Sequence, residues 1–428
     1  TSRGLGDVYK RQALPRELRE RVDRPGGYRQ VQVGQVREAE GHGAAQSRPS
    51  PAPAPAARWL GESPVPVWSM PGSELLRRAL LRAGTADAAP WTGTAPQAPL
   101  LLLRADHVYD ASLVAGLARR PGTLLCRPED GLPVAAHLTD TALAASVAAA
   151  LLAGRPAGDP AFAGLLPARP ADLADLYNKA LRKRANPYLL RLDAGTRRAV
   201  EWEMFGGSYK GVTDAITKHV WPRPAFQVVR GCAALGITPN QVTFASLLLV
   251  FVALWLFATG AWLPGLLAAW VMTFLDTVDG KLARVTLTST PLGNVFDHAI
   301  DLIHPPFWWL AWIYGLSAVG MPLAHPAAVG AIVFGGYVLQ RLQEGLFLAL
   351  YKMEIHVWRR FDSFFRLWIA RRNPNLLILS LFTLFGRPDW GMLAVAAWTV
   401  FGCLEQVVVT LQAGLARRRG PLRSWLEG

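Results

Sequence analysis

The stretch DTVDGKLARVTLTSTPLGNVFDHAID, which runs from Asp276 to Asp301, places four aspartates between two apolar segments. The flanking residues are apolar enough to lie in a lipid bilayer, where an unpaired charge is costly. Asp276 and Asp279 are three residues apart, and Asp297 and Asp301 are four apart, so on helices each pair shares a face. A proline and a glycine between the pairs allow a turn. The pattern therefore predicts two antiparallel helices that direct all four carboxylates toward one point.

Four carboxylates at one point repel one another, so protons or cations must offset their charge. Hard divalent ions such as Mg²⁺ and Mn²⁺ prefer oxygen ligands, and metal sites with open positions commonly serve phosphate chemistry. A calcium-binding loop is excluded, because two positions that need oxygen ligands hold Val278 and Leu287. Metal-dependent chemistry is favoured, with a cation or proton pathway and a structural polar network as alternatives.

Composition indicates a membrane protein rather than a nucleic-acid-binding protein. The chain has 428 residues, of which 51% are hydrophobic, and a formal net charge of +14. The apolar residues cluster from Val242 onward in runs long enough to span a bilayer, so the basic excess is better explained by cytoplasmic loops and anionic lipid. The three cysteines lie far apart, fit no metal spacing and favour a reducing compartment.

Six apolar segments are predicted to cross the membrane, which makes the fold mainly α: a six-helix transmembrane bundle preceded by a small α/β cytoplasmic domain. The predicted spans are about Val242–Ala258, Trp262–Leu275, Asn294–Gly315, Ala327–Tyr351, Asn375–Phe385 and Trp390–Leu415. Arginines concentrate between the fourth and fifth spans and in the C-terminal tail, whereas the proposed outer loops hold only Arg387. This asymmetry predicts that both termini and the aspartates lie on the cytoplasmic side. The aromatic run Phe307–Trp309 is expected to face lipid or the membrane interface.

The aspartate stretch resembles the signature of the CDP-alcohol phosphotransferase (CDP-alcohol phosphatidyltransferase) family at every defined position. Asp276-x-x-Asp279-Gly280-x-x-Ala283-Arg284 is followed, after eight residues, by Gly293-x-x-x-Asp297-x-x-x-Asp301. The resemblance covers about Lys210 to Leu415. It implies a metal-dependent enzyme that transfers a phosphoalcohol group, such as phosphatidyl, from a CDP-alcohol to an acceptor alcohol and releases CMP. Such an enzyme would act in phospholipid or phosphodiester headgroup biosynthesis.

The resemblance also implies roles for individual residues. Asp276, Asp279, Asp297 and Asp301 would bind Mg²⁺ or Mn²⁺, and Asp301 would also accept the proton of the acceptor hydroxyl as the catalytic base. The residues expected to bind the CDP-alcohol are Asn240, Thr243, Gly280, Ala283, Arg284, Thr290 and Gly293. The basic residues expected at the acceptor or at anionic lipid are Arg359, Arg360, Arg366, Arg371 and Arg372.

The partners that the resemblance implies are a CDP-alcohol donor such as CDP-diacylglycerol, an alcohol or phosphoalcohol acceptor, and membrane lipids. It also implies a homodimer in the bacterial cytoplasmic (inner) membrane and no nucleic acid partner. The alternative from another class is a cation-coupled membrane transporter that uses the four acids. A transporter would release no CMP from any CDP-alcohol.

The region before the spans is predicted to contain an unreliable N-terminus and a small α/β domain. Residues 1–58 are rich in Arg, Gly, Ala and Pro and are predicted to be disordered; Thr1–Gln12 contains DVYKRQ, the translation of a sequencing-library adapter, and is interpreted as an artefact. Strand and helix patterns alternate over residues 59–180. The other predicted segments are a basic linker and juxtamembrane helix at 181–235, the membrane domain at 236–416 and a basic cytoplasmic tail at 417–428. Leu176–Leu192 is interpreted as a basic helix.

A second resemblance concerns the α/β domain. The segment LLLLRADHVYD resembles the strand end at which sugar-type nucleotidyltransferases bind Mg²⁺, with Asp106 as the metal ligand. That family opens with a glycine-rich basic loop, and none precedes Asp106. The domain is therefore expected to be degenerate or truncated, and the alternative is a bifunctional cytidylyltransferase/CDP-alcohol phosphotransferase. Because the transfer motif lies wholly after Lys210, the α/β domain is expected to be dispensable for CMP release.

Overall fold

The structure is a computed structural model that describes residues 54–96 and 99–427. The predictions for Thr1–Gln12 and for the N-terminus as far as residue 53 therefore lie outside the described residues. The first strand begins at Ala56, inside the segment 1–58 that is predicted to be disordered. Ala56–Leu60 is ordered because its backbone pairs in parallel with Leu100–Arg104.

Strands and short helices alternate from Ala56 to Arg191. The strands are β1 Ala56–Leu60, β2 Ala88–Pro90, β3 Leu100–Arg104, β4 His107–Tyr109, β5 Thr123–Cys126, β6 Pro133–Leu138, β7 Leu166–Ala168, β8 Tyr177–Asn178, β9 Lys183–Arg184 and β10 Leu189–Arg191. The helices are α1 Gly72–Arg82, α2 Ala111–Ala118, α3 Ala144–Leu152 and α4 Pro170–Leu173. Six strands form a mixed sheet in the order β2-β1-β3-β6-β5-β7. The leucines of β3 are buried, so this strand forms the centre of the domain's core.

The prediction of a basic helix at Leu176–Leu192 is wrong. The segment contains β8, β9 and β10, and β10 pairs antiparallel with β4. Pro187 explains the difference, because proline interrupts helical hydrogen bonding and biases the residue before it toward extended backbone. The chain therefore returns to the α/β domain as a strand before it enters the helical part.

The remainder of the described chain is mainly helical. Its helices are α5 Arg197–Gly207, α6 Pro222–Ala234, α7 Pro239–Ala258, α8 Trp262–Val285, α9 Pro291–Ala318, α10 Pro326–Tyr351, α11 Arg360–Phe365, α12 Arg372–Leu384 and α13 Pro388–Arg417. A helix lies at each predicted span, and α8 continues from Leu275 to Val285, so the first aspartate pair lies on a continuous helix. Thr238 and Gln241 form a capping box at the start of α7.

Two of the described helices, α7 and α13, are long and apolar enough to cross a membrane by length and composition. The other four helices at predicted spans do not meet the same criterion. Membrane character therefore has support from these two helices, whereas the six-span topology and its orientation remain predictions.

The core of the helical part lies among α7, α8, α9, α10, α12 and α13. Trp308 and Trp309 are fully buried in it, whereas Phe307 is about half exposed. The expectation that Phe307–Trp309 faces lipid is therefore wrong for the two tryptophans. Burial of such large side chains needs a partner for the indole N–H, and Trp308 Nε1 donates to the carbonyl of Val250 at 2.9 Å.

The α/β domain and the helical part share a second hydrophobic core. Trp68 and Leu75 of the α/β domain pack in one cluster with Val278, Leu282 and Val285 of α8. The two parts belong to one compact unit that covers the described chain. The helix that carries the first aspartate pair is therefore supported on one side by the α/β domain.

Candidate active site

Three of the four predicted aspartates meet at one place. Asp276 on α8 and Asp297 and Asp301 on α9 each offer a carboxylate oxygen, and these oxygens lie within 4.8 Å of one another. Helix α7 packs against both α8 and α9 and so supports both sides of the gap that the carboxylates face. A set of oxygen donors at this separation suits Mg²⁺ or Mn²⁺. It is the one group of at least three potential metal ligands with this spacing in the part of the chain that the structure describes.

Asp279 is not a member of this group, so three rather than four of the predicted carboxylates meet within this spacing. Its Oδ2 atom lies 2.6 Å from the Thr243 hydroxyl of α7, and its Oδ1 atom accepts a 2.5 Å hydrogen bond from the Gly280 N–H group. A step of three residues leaves two helical side chains about 60° apart, so Asp276 and Asp279 face different neighbours. Thr243, predicted to contact the donor, here orients the Asp279 carboxylate.

Arg372, at the start of α12, is the counter-ion of the carboxylate group. Its Nη1 atom lies 2.5 Å from Asp301 Oδ1, and its Nη2 atom lies 2.6 Å from Asp276 Oδ2. The sequence predicts Arg372 at the acceptor, but it does not predict this pairing. A planar guanidinium suits two carboxylates at once, so Arg372 fixes the separation between α8 and α9 at the level of the aspartates.

Three predicted donor residues, Gly280, Ala283 and Arg284, line the same cavity as the carboxylates. A Cβ atom at position 280 would lie 3.0 Å from Arg284 Nη2, so only glycine leaves this guanidinium its present position. The buried Nε atom of Arg284 has no hydrogen-bond partner among the described residues. An arginine with free donors beside bare backbone is suited to a phosphate-containing ligand.

The other predicted donor residues support the helix ends around the cavity. Thr290 caps α9 by accepting a 3.0 Å hydrogen bond from the Gly293 N–H group. A Cβ atom at position 293 would lie 3.0 Å from both Asn240 Oδ1 and Thr290 Oγ1. Asn240, Thr290 and Gly293 therefore form a tight junction between the starts of α7 and α9.

One cavity of about 460 Å³ joins the carboxylates to a group of basic side chains. The basic lining residues are Arg182, Lys210, Lys281, Arg284, Arg341, Arg366, Arg371 and Arg372. Carboxylates that can hold a divalent cation and guanidinium groups that can bind phosphate oxygens thus face one space. The cavity is suited to a substrate pair that carries several phosphate groups.

Arg366 is the most deeply buried arginine of this group, with only 7% of its surface exposed. Its Nε and Nη1 atoms have no hydrogen-bond partner among the described residues. Leaving a buried charged group without partners is costly, and a phosphate oxygen would satisfy the free donors. Arg366 therefore indicates an anion-binding position in the cavity.

Glu344 offsets only part of the neighbouring positive charge. Arg371 Nη2 hydrogen-bonds to its Oε1 atom, Arg341 Nη2 lies 3.0 Å from the same oxygen, and His356 Nε2 lies 3.2 Å from it. Two arginines therefore share one carboxylate. The excess positive charge of this part of the cavity remains available to an anion.

Arg359 and Arg360, predicted at the acceptor together with Arg366, do not line this cavity. Arg359 pairs with Asp362 at 2.8 Å, and the guanidinium of Arg360 lies 5.5 Å from the ring centroid of Trp425. Both residues lie at the start of α11, whereas Arg366 follows its end, so the basic run does not form a single face.

Sequence reasoning missed Arg182, Lys210, Lys281 and Arg341, which lie outside the defined positions of the motif. Lys281 Nζ donates to the Ser208 carbonyl at 3.1 Å and lies 3.3 Å from the centroid of the Tyr209 ring. The segment GSYKG, which contains Tyr209 and Lys210, offers one usable signal, because glycines flank an aromatic and a basic residue there.

Asp106, the predicted metal ligand of the α/β domain, is held by other side chains. Arg104 donates to both of its oxygens at 2.9 and 2.6 Å, and His107 Nδ1 lies 2.8 Å from Oδ1. Burial acts to raise the pKa of Asp106, but the hydrogen bonds and charges of His107 and Arg104 outweigh it and hold that pKa well below its ordinary value. Asp106 belongs to no group of three potential metal ligands in the described ranges. The arrangement favours a structural role over metal binding.

Comparison with known proteins identifies the region of the chain that contains the aspartates. The CDP-alcohol phosphatidyltransferase family profile matches residues 236–372. A bifunctional IPC transferase and DIPP synthase of Rubrobacter xylanophilus is 28% identical over 200 residues, which are 47% of this chain and 43% of that protein. An archaetidylinositol phosphate synthase of Pyrococcus horikoshii is 26% identical over 182 residues, which are 42% of this chain and 87% of that protein. The chain thus spans less than half of the first relative and most of the second.

A solved structure also matches part of this chain. The phosphatidylinositol phosphate synthase of Mycobacterium tuberculosis, in complex with manganese and citrate, is 19% identical, with a TM-score of 0.35. The match covers 44% of this chain and 88% of that protein. The matched family profile contains the three carboxylates that meet, together with Gly280, Arg284 and Arg372. Residues 236–372 of this chain therefore match a CDP-alcohol phosphatidyltransferase domain.

Proposed function

We propose that this chain transfers a phosphoalcohol group from a CDP-alcohol to an acceptor alcohol and releases CMP, as a step of phospholipid or phosphodiester headgroup synthesis. The observation that carries the proposal is the cavity in which Asp276, Asp297 and Asp301 share one space with unpartnered guanidinium groups. The names of the relatives, which are transferases and synthases, support the same reaction class. CDP-diacylglycerol is the donor that the apolar, membrane-type helices favour.

Mg²⁺ or Mn²⁺ is the proposed cofactor, since the three carboxylates supply the oxygen donors that these ions prefer. Bound there, the ion offsets negative charge on the donor diphosphate. Arg284 is placed to donate hydrogen bonds to the same diphosphate, and Gly280 leaves room for the donor against the backbone. Arg372 orients Asp276 and Asp301 and so keeps the carboxylates at a fixed separation.

Asp301 is the proposed base. Its side chain is 43% exposed, against 14% for Asp276, so an acceptor hydroxyl can reach it from the cavity. The acceptor oxygen forms a bond to the β-phosphorus of the CDP-alcohol, and its proton passes to Asp301. The bond from that phosphorus to the bridging oxygen breaks, and this oxygen leaves with CMP. Positioning and electrostatics supply most of the catalysis in such a transfer.

The acceptor is proposed to be a phosphoalcohol rather than a free alcohol. The free donors of Arg366, with Arg371 and Lys210 beside the same cavity, offer a binding place for one more phosphate group than the donor itself carries. A neutral alcohol would leave the free donors of Arg366 without a partner, which is unfavourable.

The proposed setting is the bacterial cytoplasmic (inner) membrane, with six spans, a homodimer, and the active site and both termini in the cytoplasm. The two membrane-length helices and the basic residues near the cavity support this orientation. The nucleotidyltransferase-like α/β domain is proposed to be non-catalytic, because Asp106 is occupied by Arg104 and His107.

The test is CMP release by the purified full chain in lipid nanodiscs containing CDP-diacylglycerol or another CDP-alcohol. Glycerol phosphate and inositol phosphate serve as phosphoalcohol acceptors, and glycerol and inositol serve as their unphosphorylated counterparts. EDTA is expected to abolish release, and excess Mg²⁺ is expected to restore it. If no donor and acceptor pair gives CMP, the transfer proposal is wrong and the transporter alternative gains support.

The acceptor site is tested with a matched pair of arginine variants. Arg366→Ala is expected to raise the KM for the phosphoalcohol about 10- to 100-fold, because a charged hydrogen bond contributes about 1.5–3 kcal/mol. Arg360→Ala, which removes an exposed arginine outside the cavity, is expected to leave the KM unchanged. Equal KM values for wild type and Arg366→Ala would contradict the acceptor assignment.

A further inference from the structure

The loop between α8 and α9 joins the two halves of the carboxylate group. It consists of residues 286–290, with Asp276 and Arg284 on the helix before it and Asp297 and Asp301 on the helix after it. Ser289 of this loop lines the cavity. The loop therefore contributes, together with Arg372, to the separation of the carboxylates, on which ion and donor binding depend.

The α/β domain holds this loop with two arginines of α1. Arg78 Nη1 donates to the Thr286 carbonyl at 2.8 Å, and Arg82 Nη2 donates to the Ser289 carbonyl at 3.2 Å. Glu74 fixes Arg78 through a 2.7 Å ion pair to its Nε atom. Neighbouring Arg77 pairs with the same glutamate, and its side chain forms no hydrogen bond to the loop in the part of the chain that the structure describes. Two backbone carbonyls of the loop are thus bound by the other domain.

Leu287 adds an apolar anchor to these hydrogen bonds. Its side chain packs against the hydrophobic core of the α/β domain as well as against the core shared with α8. Its φ angle is +53°, a left-handed conformation that is uncommon for a residue other than glycine. Such a conformation persists only where the surroundings impose it, and here the α/β domain supplies them.

Packing around Leu287 is incomplete, so the hydrogen bonds from Arg78 and Arg82 are important for holding the loop. A cavity of about 260 Å³ lies between α1 and the end of α8. Its lining includes Leu75, Ala79, Arg82, Val285 and Leu287. The loop is therefore held by a few specific contacts and not by a continuous interface.

We propose that Arg78 and Arg82 are positioning residues for the transfer reaction: by holding the 286–290 loop they make the carboxylate geometry depend on the α/β domain. This rests on the function proposed above and revises the expectation that the domain is dispensable for CMP release. Neither arginine lines the cavity that holds the carboxylates, so neither contacts the reacting groups.

The experiment compares full-length wild type with Arg78→Ala, Arg82→Ala, the double variant and the matched control Arg77→Ala. Hydrogen–deuterium exchange of the peptide that contains residues 286–290 is measured together with kcat and KM for CMP release. The double variant is expected to exchange faster by about 10-fold or more in this loop and to lose about 10- to 100-fold in kcat through misplacement of the carboxylates. Arg77→Ala should match wild type in both measurements, and Arg78→Lys should recover part of the loss because it retains a donor.

The two measurements separate failure of this proposal from failure of the proposed function. If wild type releases no CMP, the function is wrong, while loop exchange still decides whether the arginines hold the loop. Unchanged loop exchange in the double variant, or an equal effect of Arg77→Ala, would overturn the proposal. If the double variant does not fold, the same two measurements are made on Arg82→Ala, which removes one exposed side chain.

Discussion

Asp301 and Asp276 share the guanidinium of Arg372 but differ in exposure, and this difference predicts different effects of amide substitution. Asp301→Asn keeps the shape of the side chain and loses the proton acceptor, so transfer should fall by about 10²- to 10⁴-fold while donor binding with Mg²⁺ persists. Asp276→Asn should instead weaken Mg²⁺-dependent donor binding. The measurements are CDP-alcohol binding and CMP release for each variant. Loss of binding in Asp301→Asn as large as in Asp276→Asn would make Asp301 only a ligand.

A structural role and a metal-binding role of Asp106 predict different effects of substitution. Asp106→Asn should lower stability by about 1–3 kcal/mol, because the charge of a partly buried carboxylate that accepts three hydrogen bonds is lost. Since the folded-state pKa of Asp106 lies below its unfolded value, the contribution is full at neutral pH and is lost as pH falls below about 4 through the folded-state pKa. Thermal unfolding of both proteins at pH 7 and at pH 2 measures this. The Mg²⁺ dependence of CMP release should not change; a changed Mg²⁺ requirement would favour a metal at Asp106.

Single residues were predictable where the signal is local. The spacing of the aspartates indicates their shared faces, and Gly280 lies within one helical turn of Arg284. Arg372 was not predictable as the counter-ion, because 96 residues separate it from Asp276. Residue type alone predicts a lipid-facing or interfacial position for Trp308 and Trp309. Their burial depends on contacts that the sequence does not show, such as the hydrogen bond from Trp308 Nε1 to the Val250 carbonyl.

Helices α7 to α10, α12 and α13 follow the apolar runs of the sequence, because backbone hydrogen bonds within an apolar segment are satisfied only inside a helix when water is excluded. Their ends were less predictable. Helix α8 runs past Leu275 to Val285 although its last turns are polar, because Val278, Leu282 and Val285 pack against the α/β domain. The β10 strand was missed because its partner, β4, is distant in sequence.

The start of α7 carries the capping box of Thr238 and Gln241 in the same turn as Asn240 and next to Thr243. Thr238→Ala should destabilise this end of the helix by about 1 kcal/mol and loosen the junction with Gly293, which raises the KM for the CDP-alcohol. Thr259→Ala, at the opposite end of α7, is the matched control and should leave that KM unchanged. Steady-state kinetics with varied donor concentration measures both. An equal response to the two substitutions would exclude a local effect of the cap on the donor site.

The α/β domain and the helical part were predictable as separate regions from composition, but their shared core was not. Trp68 meets α5 through a 3.1 Å hydrogen bond from its backbone N–H to Glu201, which is itself almost fully buried. Arg197 and Arg230 form ion pairs with Glu201 at 3.3 and 3.0 Å. The contact between Trp68 and Glu201 links positions 133 residues apart, so no local sequence pattern predicts it.

Glu201 should therefore be important for the stability of the complete chain. Glu201→Ala leaves two arginines and a backbone N–H without their acceptor, and removal of one partner from a buried ion pair costs about 3–5 kcal/mol. Glu203→Ala, an exposed acid on the same helix, is the control and should have little effect. Thermal unfolding of the purified proteins in detergent measures the difference. Similar melting temperatures for the two variants would show that Glu201 does not stabilise this junction.

The left-handed backbone of Leu287 limits how this chain can be recombined with others and which residues suit position 287. A leucine is tolerated there because its side chain packs against hydrophobic cores to which α1 contributes, so α1 and the 286–290 loop must be exchanged together when chimeras are built from this chain. A shortened version without the α/β domain would bear the conformational cost with no compensating contact. Such a version should favour glycine or asparagine at position 287, since these residues adopt positive φ angles with little strain.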